Sequence, residues 1–390
     1  MNGTIYMPVG EVCSSISDTY REKKNMVTLI NTSDVLEGRV LNHERVPNSN
    51  LKGQFKKTFQ RDDILYSEIR PQNRRFAYVD FSPIDYIAST KLMVIRAKKD
   101  VVSPKYLYYF LKNSSTVAEL QLLAETRSGT FPQITFSEVA NLTIPVPSLA
   151  VQEVIVQTMQ CLEDKITCNE QINDNLQQQL FSLYENMATA SPCLKEYTLS
   201  NLCDFQEGYV NPPQTHPEYF DGEVKWLRAV DINESFIIET SRTLTKAGFE
   251  SAKKSALLFE PNTIAISKSG TIGRLGIIAD YMCGNRAVIN IAPHDTNMLA
   301  FIYCFLKSKQ REFPDMAVGS VQKNLYVSLL EPLSVSIPDN ESLTAFNAVG
   351  ASILGMIHNN CVENTDLANL RDTILPKLMS GEIDVSSVLL

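Results

Sequence analysis

At 390 residues, 44% hydrophobic and 21% charged, the chain has the composition of an ordinary globular protein of two or three domains. It has no apolar run of the roughly 18 residues that a membrane span needs, and no basic start followed by an apolar stretch, so no membrane span, signal peptide or membrane partner is expected, and its cysteines read as reduced thiols of a cytoplasmic protein. Its eight cysteines include no Cys-x-x-Cys pair and its four histidines are scattered, which excludes a zinc site or a disulfide framework and leaves no metal site to expect.

A net charge of −8 argues against a nucleic-acid binder until it is divided by region. Residues 1–147 carry +4, residues 148–190 carry −5, residues 191–338 carry −2 and residues 339–390 carry −5. The positive excess sits on the first segment and the acidity mostly on two stretches with helical pattern.

In chain order, the first segment reads as mixed and strand-rich. Residues 27–31 (Val-Thr-Leu-Ile-Asn), 63–69 (Asp-Ile-Leu-Tyr-Ser-Glu-Ile) and 91–96 (Lys-Leu-Met-Val-Ile-Arg) are short runs bounded by turn formers. Residues 104–112 open with Pro104 and carry aromatic side chains at helical spacing, which predicts a short helix. Residues 128–132 (Ser-Gly-Thr-Phe-Pro) predict a loop, and the prolines of residues 142–147 bar that run from a central strand. Ser148 offers an N-cap for a long helix that ends before a linker at residues 190–193.

That helix organises the rest. Its seam positions are Ile155, Met159, Leu162, Ile166, Asn169, Asn173, Leu176, Leu180, Leu183 and Met187, alternating in steps of four and three as in a coiled coil. Adding 191 to each gives Phe346, Gly350, Ile353, Ile357, Asn360, Asn364, Leu367, Arg371, Ile374 and Leu378. The asparagines interrupt both seams at the same two places, which predicts that the helices pair with each other and that Asn169, Asn173, Asn360 and Asn364 fix the register. The second seam departs from the first at Gly350 and Arg371. Two unrelated amphipathic helices would account for the leucines but not for the matched asparagines.

The globular segments repeat as well. Residues 63–67 match residues 263–267, residues 108–112 match residues 303–307, Gly129 matches Gly319, and residues 142–147 match residues 333–338. A module followed by a long helix is thus used twice, an α+β architecture far longer in period than a solenoid. If the helices pair antiparallel they create a pseudo-two-fold axis, and about 40 residues of helix extend about 60 Å. That geometry permits two readers on one duplex.

On these residues the chain resembles the specificity subunit of a type I restriction–modification enzyme. The resemblance covers nearly the whole chain. It rests on residues 129–134 (Gly-Thr-Phe-Pro-Gln-Ile), 142–152, 162–173, 268–277 and the closing 375–383 (Leu-Pro-Lys-Leu-Met-Ser-Gly-Glu-Ile), and on their order and duplication. It implies two similar target-recognition domains, residues 1–147 and 191–338, each followed by a spacer helix, residues 148–190 and 339–390, the helices pairing as an antiparallel coiled coil. It implies a non-catalytic chain that binds double-stranded DNA at a split site and holds no cofactor of its own. Its partners would be two methyltransferase subunits using S-adenosylmethionine and two restriction subunits using ATP and Mg.

Several motifs bear on DNA contact. Lys52, Lys56, Lys57, Arg61, Arg70, Arg74 and Arg75 are interleaved with Phe55, Phe59 and Phe76; guanidinium groups suit phosphates or guanine edges, whereas the plain alternative is an exposed charged hairpin. Arg127, Thr130 and Gln133 occupy a loop matched by Lys323 and Asn324. The stretch with Lys268, Ser269, Thr271 and Arg274 resembles a phosphate-cradling loop but lacks the Gly-Lys-Ser/Thr ending, so it reads as a turn touching the DNA backbone. Asn211-Pro-Pro-Gln suggests a stand-alone adenine DNA methyltransferase, yet Gln214 cannot stack on a flipped base and no glycine-rich cofactor loop follows a strand. A proline-stiffened surface turn accounts for it better. A coiled-coil scaffold for other proteins is the remaining alternative.

Overall fold

The computed structural model describes residues 4–22, 24–49, 53–126, 132–190, 195–319 and 322–385. It divides into two compact units, one made of Met1–Asp164 with Leu367–Leu390, the other of Lys165–Asp366. Each long helix therefore contributes its two ends to different units.

In the first unit the main sheet runs Cys13–Ile16, Leu92–Ala97, Ile64–Ser67, Phe76–Tyr78, antiparallel throughout. Alternate side chains of a strand point to opposite faces. Ile64, Tyr66, Met93 and Ile95 enter one core, with the helix Pro104–Lys112 and the start of the first long helix. Leu65, Leu92 and Val94 enter another, beside Ile30 and Val35. With both faces covered, the central strands read as continuous apolar runs. A second sheet, ordered Val46–Pro47, Met26–Ile30, Tyr86–Ser89, Phe55–Lys57, extends the unit. The proline-rich run forms the strand Thr143–Val146, paired with Ile5–Pro8 in a two-stranded sheet.

The second unit repeats this plan. Its sheet runs Cys203–Glu207, Val288–Pro293, Ile264–Ser267, Leu275–Ile278 in the same order, with Phe236–Ile237 added at the edge. Ile264, Ile266, Ile289 and Ile291 face one core, Ala265 and Val288 another. Lys195–Thr198 pairs with Ser334–Ile337, as their counterparts do in the first unit. The duplication expected from sequence is thus a duplication of strand order and of facing.

The long helices span Leu149–Ala190 and Asn340–Ser380. Within the second unit Asn169 Nδ2 donates to Asn364 Oδ1 at 2.8 Å, and Asn360 Nδ2 donates to Asn173 Oδ1 at 2.8 Å. Further along, the ring of Tyr184 meets that of Phe346. Rising numbers on one helix meet falling numbers on the other, so the helices pack antiparallel. At Gly350, one of the two seam departures, an added Cβ would lie 2.6 Å from Ala300 Cβ, so glycine admits the helix Leu299–Lys309 to close approach. The buried amide of Gln152 anchors the first long helix: it donates to the carbonyls of Val101 and Pro147 and accepts from Ser103 N.

Candidate nucleic-acid interface

In both units a turn of the main sheet meets a loop that connects two helices. In the first, Ile134 N donates to Glu68 O at 2.9 Å and Arg70 N to Pro132 O at 3.1 Å, which joins the turn after Ile64–Ser67 to the loop before Ile134. In the second, Leu325 N donates to Lys268 O at 2.9 Å, joining the equivalent turn to the equivalent loop. This shared bond brings the turn carrying Arg70 to Gln133 in the first unit and the turn carrying Lys268 to Asn324 in the second.

The first-unit turn is a single 3-10 turn, Pro71–Asn73, flanked by Arg70 and Arg74 at φ of 45° and 52°. Non-glycine residues rarely adopt that left-handed backbone. The turn is nonetheless held: Gln72 N donates to Gln121 Oε1 and Arg74 Nη2 to Ser114 Oγ at 2.9 Å. Arg75 is turned inward, with Nη1 on the carbonyls of Ser33 and Val35. Lys57 is also turned inward, its Nζ donating to Thr90 O and Leu92 O, and burial pushes its pKa down. Lys56, Arg61 and Arg70 are exposed. Gln133 accepts from Lys91 Nζ at 3.4 Å and bridges to Ile69. Lys52, Arg127, Gly129 and Thr130 lie outside the described residues.

The second-unit turn connects Ile264–Ser267 to Leu275–Ile278 and is built around Ser267, whose Oγ donates to Thr271 O and accepts from Arg274 N at 2.8 Å. Gly270 and Gly273 take φ of 77° and 85°, which allows the chain to reverse there. Thr271 is exposed at the tip, while Ser269 and Arg274 are half-buried. Lys268 is directed onto the protein, 2.9 Å from Glu207 Oε1 and over the ring of Tyr326 at 4.8 Å. Asn324 exchanges backbone bonds with Val318, and Lys323 is exposed beside it. Lys57, Arg75 and Lys268, expected from sequence to contact DNA, therefore have their cationic ends engaged within the protein.

Residues 6–178 and 194–365 each match the family model described as the type I restriction modification DNA specificity domain. The chain belongs to that family. It is 28% identical over 434 aligned positions to the HindI type I restriction enzyme specificity subunit of Haemophilus influenzae, covering 92% of this chain and 94% of that protein. It is 25% identical over 337 positions to the MjaIX specificity subunit of Methanocaldococcus jannaschii, covering 79% and 77%. Its fold is similar to the crystal structure of a type I restriction–modification system S subunit from M. genitalium, with a TM-score of 0.51, 17% identity and coverage of 97% and 96%. As a member of a DNA specificity family whose relatives are specificity subunits, it is a DNA-recognition subunit rather than an enzyme.

The specificity subunit also has a surface recess that sequence spacing did not single out. In the second unit Tyr209, Asn211, Tyr219, Lys253 and Arg286 line a recess of ≈ 550 Å³. Tyr209 and Arg286 are both exposed there. Asn211-Pro-Pro-Gln forms part of this loop surface, with Gln214 Oε1 accepting from Arg242 Nη1 at 2.9 Å. Among the described residues, no group of three His, Cys, Asp or Glu side chains is arranged to hold a metal ion, and no helix is long and apolar enough to cross a membrane.

Proposed function

We propose that this chain reads a split DNA site, each unit presenting its joined pair of loops to one half. The observation that carries the reading is the shared backbone bond, Glu68–Ile134 in one unit and Lys268–Leu325 in the other, within two copies of a DNA specificity domain. In the first unit the exposed Lys56, Arg61 and Arg70 supply phosphate contacts, and the turn around Thr271 with Lys323 does so in the second. Direct reading of bases falls to the side chains that differ between the two loop pairs. The helix pair fixes the spacing of the halves. The chain acts in the cytoplasm and docks two methyltransferase subunits, which bring S-adenosylmethionine, and two restriction subunits, which bring ATP and Mg. It holds no cofactor itself. The test is exchange of residues 1–147 for the corresponding module of a relative, followed by mapping of the methylated site. One half of the site changes and the other stays. A change in both halves together defeats the two-reader model, and methyl transfer by the purified chain alone defeats the assignment of chemistry to partners.

A further inference from the structure

Arg371 breaks the apolar seam of the closing helix, and DNA reading as described does not use it. Within the first unit its Nη1 lies 3.8 Å from Glu163 Oε1 and its Nε 2.8 Å from Asp372 Oδ1. Glu163 is already engaged: Lys112 forms an ion pair with Oε1, and Tyr109 OH donates to Oε2 at 2.9 Å. Lys112 sits over the rings of Tyr108 and Tyr109, at 5.0 and 4.5 Å. These groups border a cavity of ≈ 150 Å³ whose wall also carries Glu37 and Arg74. Arg74 ends the turn described above and leans on Ser114, the first residue of the helix Ser114–Glu125. The closing helix and the first reading turn thus face one cavity.

Among its described residues the second unit has no such arrangement. At the 191-residue offset, Leu354 and Leu180 stand in place of Glu163 and Arg371, and both are buried in its core. Lys307, counterpart of Lys112, pairs instead with Glu234, which like Glu37 has a left-handed backbone. Among the described residues the ion cluster therefore belongs to the first repeat and not to the second. The cluster is half-buried, with the Arg371 side chain 23% exposed; such a cluster contributes little net stability, because desolvation and screening offset attraction, and its effect lies in fixing geometry.

We propose that Arg371 is a positioning residue for the first unit's reading turn, so that a side chain of the closing helix tunes one half of the DNA site and not the other. The cavity holds three cations, Arg74, Lys112 and Arg371, against three carboxylates, Glu37, Glu163 and Asp372. Removing Arg371 leaves it one negative charge in excess, which draws Arg74 inward from Ser114 and shifts the turn that carries it. Glu163 keeps Lys112 and Tyr109, so Arg371→Leu orphans no buried charge; it installs the residue that the other repeat has at this position.

This inference rests on the split-site reading. The experiment uses the chain assembled with its methyltransferase subunits, as wild type, Arg371→Leu and Arg371→Lys, on duplexes carrying one base change in either half-site. Exchange of residues 1–147 assigns the half that belongs to the first unit. Arg371→Leu lowers discrimination at that half about tenfold, within the span of one mismatch, and by less than about twofold at the other. Arg371→Lys retains the wild-type pattern. Should the leucine variant fail to fold, Arg371→Gln carries the same expectation. Equal effects on both halves, no effect on either, a changed spacer preference instead, or failure of lysine to rescue would each overturn the proposal. Absence of discrimination by the wild type would defeat the split-site reading itself.

Discussion

Replacing Asn360 with leucine separates the worth of the asparagine pair from that of the surrounding seam. Asn173 is 6% exposed, and its Oδ1 takes its hydrogen bond from Asn360 Nδ2 at 2.8 Å. Asn360→Leu orphans that oxygen, costing about 1–3 kcal/mol. Position 360 is half-buried, so the new leucine returns about 1 kcal/mol at most. The balance is a loss of about 1–2 kcal/mol, or about 2–4 °C per kcal/mol for a unit of this size. Adding Asn173→Leu removes the orphan and brings stability to the wild-type level or above, since both partners are now apolar. The pair should therefore show a coupling of about 1–2 kcal/mol in a double-mutant cycle followed by thermal unfolding. A single variant as stable as wild type, or a double variant no better than the single, would refute the reasoning. With Asn169 and Asn364 also changed to leucine, stability should hold while register loosens, so binding should tolerate spacers one base pair longer or shorter.

Two further outcomes follow from the placement of charged groups. Lys56→Ala and Arg61→Ala should each lower the salt dependence of DNA binding by about one counterion, while Lys57→Ala and Arg75→Ala should destabilise the fold and leave that slope unchanged; salt titration and thermal unfolding distinguish the two classes. The hydrogen bond from Lys99 at 2.6 Å, aided by Tyr78 OH at 2.8 Å, holds the Asp62 carboxyl below its ordinary 3.8. Its folded pKa is the lower one, so its contribution is present above about pH 4 and lost as pH falls through the folded value. Asp62→Asn, which suits the left-handed backbone there (φ 73°), should flatten this acid limb in denaturant titrations, and an unchanged limb would assign it to other carboxylates.

The duplicated plan and the helix pairing could be read from sequence because both leave periodic traces. Those traces are the 191-residue offset and the four matched asparagines, and the structure joins Asn169 to Asn364 and Asn173 to Asn360. What sequence could not give was the direction of a cation. Lys57 and Lys56 are neighbours, yet alternation along the strand Phe55–Lys57 sends one inward to two backbone carbonyls and the other to solvent. Arg75 and Lys268 likewise find partners about 40 and 60 residues away along the chain, at distances no local pattern encodes. Arg371 looked like a defect in the seam until its partners Glu163 and Asp372 were in view. The joined loops escaped prediction for the same reason: a single backbone bond between residues 68 and 134 has no sequence signature.

The most direct test of the central claim is a genome-wide map of methylated adenines in cells carrying this gene and in cells lacking it. One motif should disappear with the gene, and it should consist of two short specified tracts separated by a fixed number of unspecified bases. Loss of a continuous motif, or no loss in cells that assemble this chain with methyltransferase subunits, would contradict that claim.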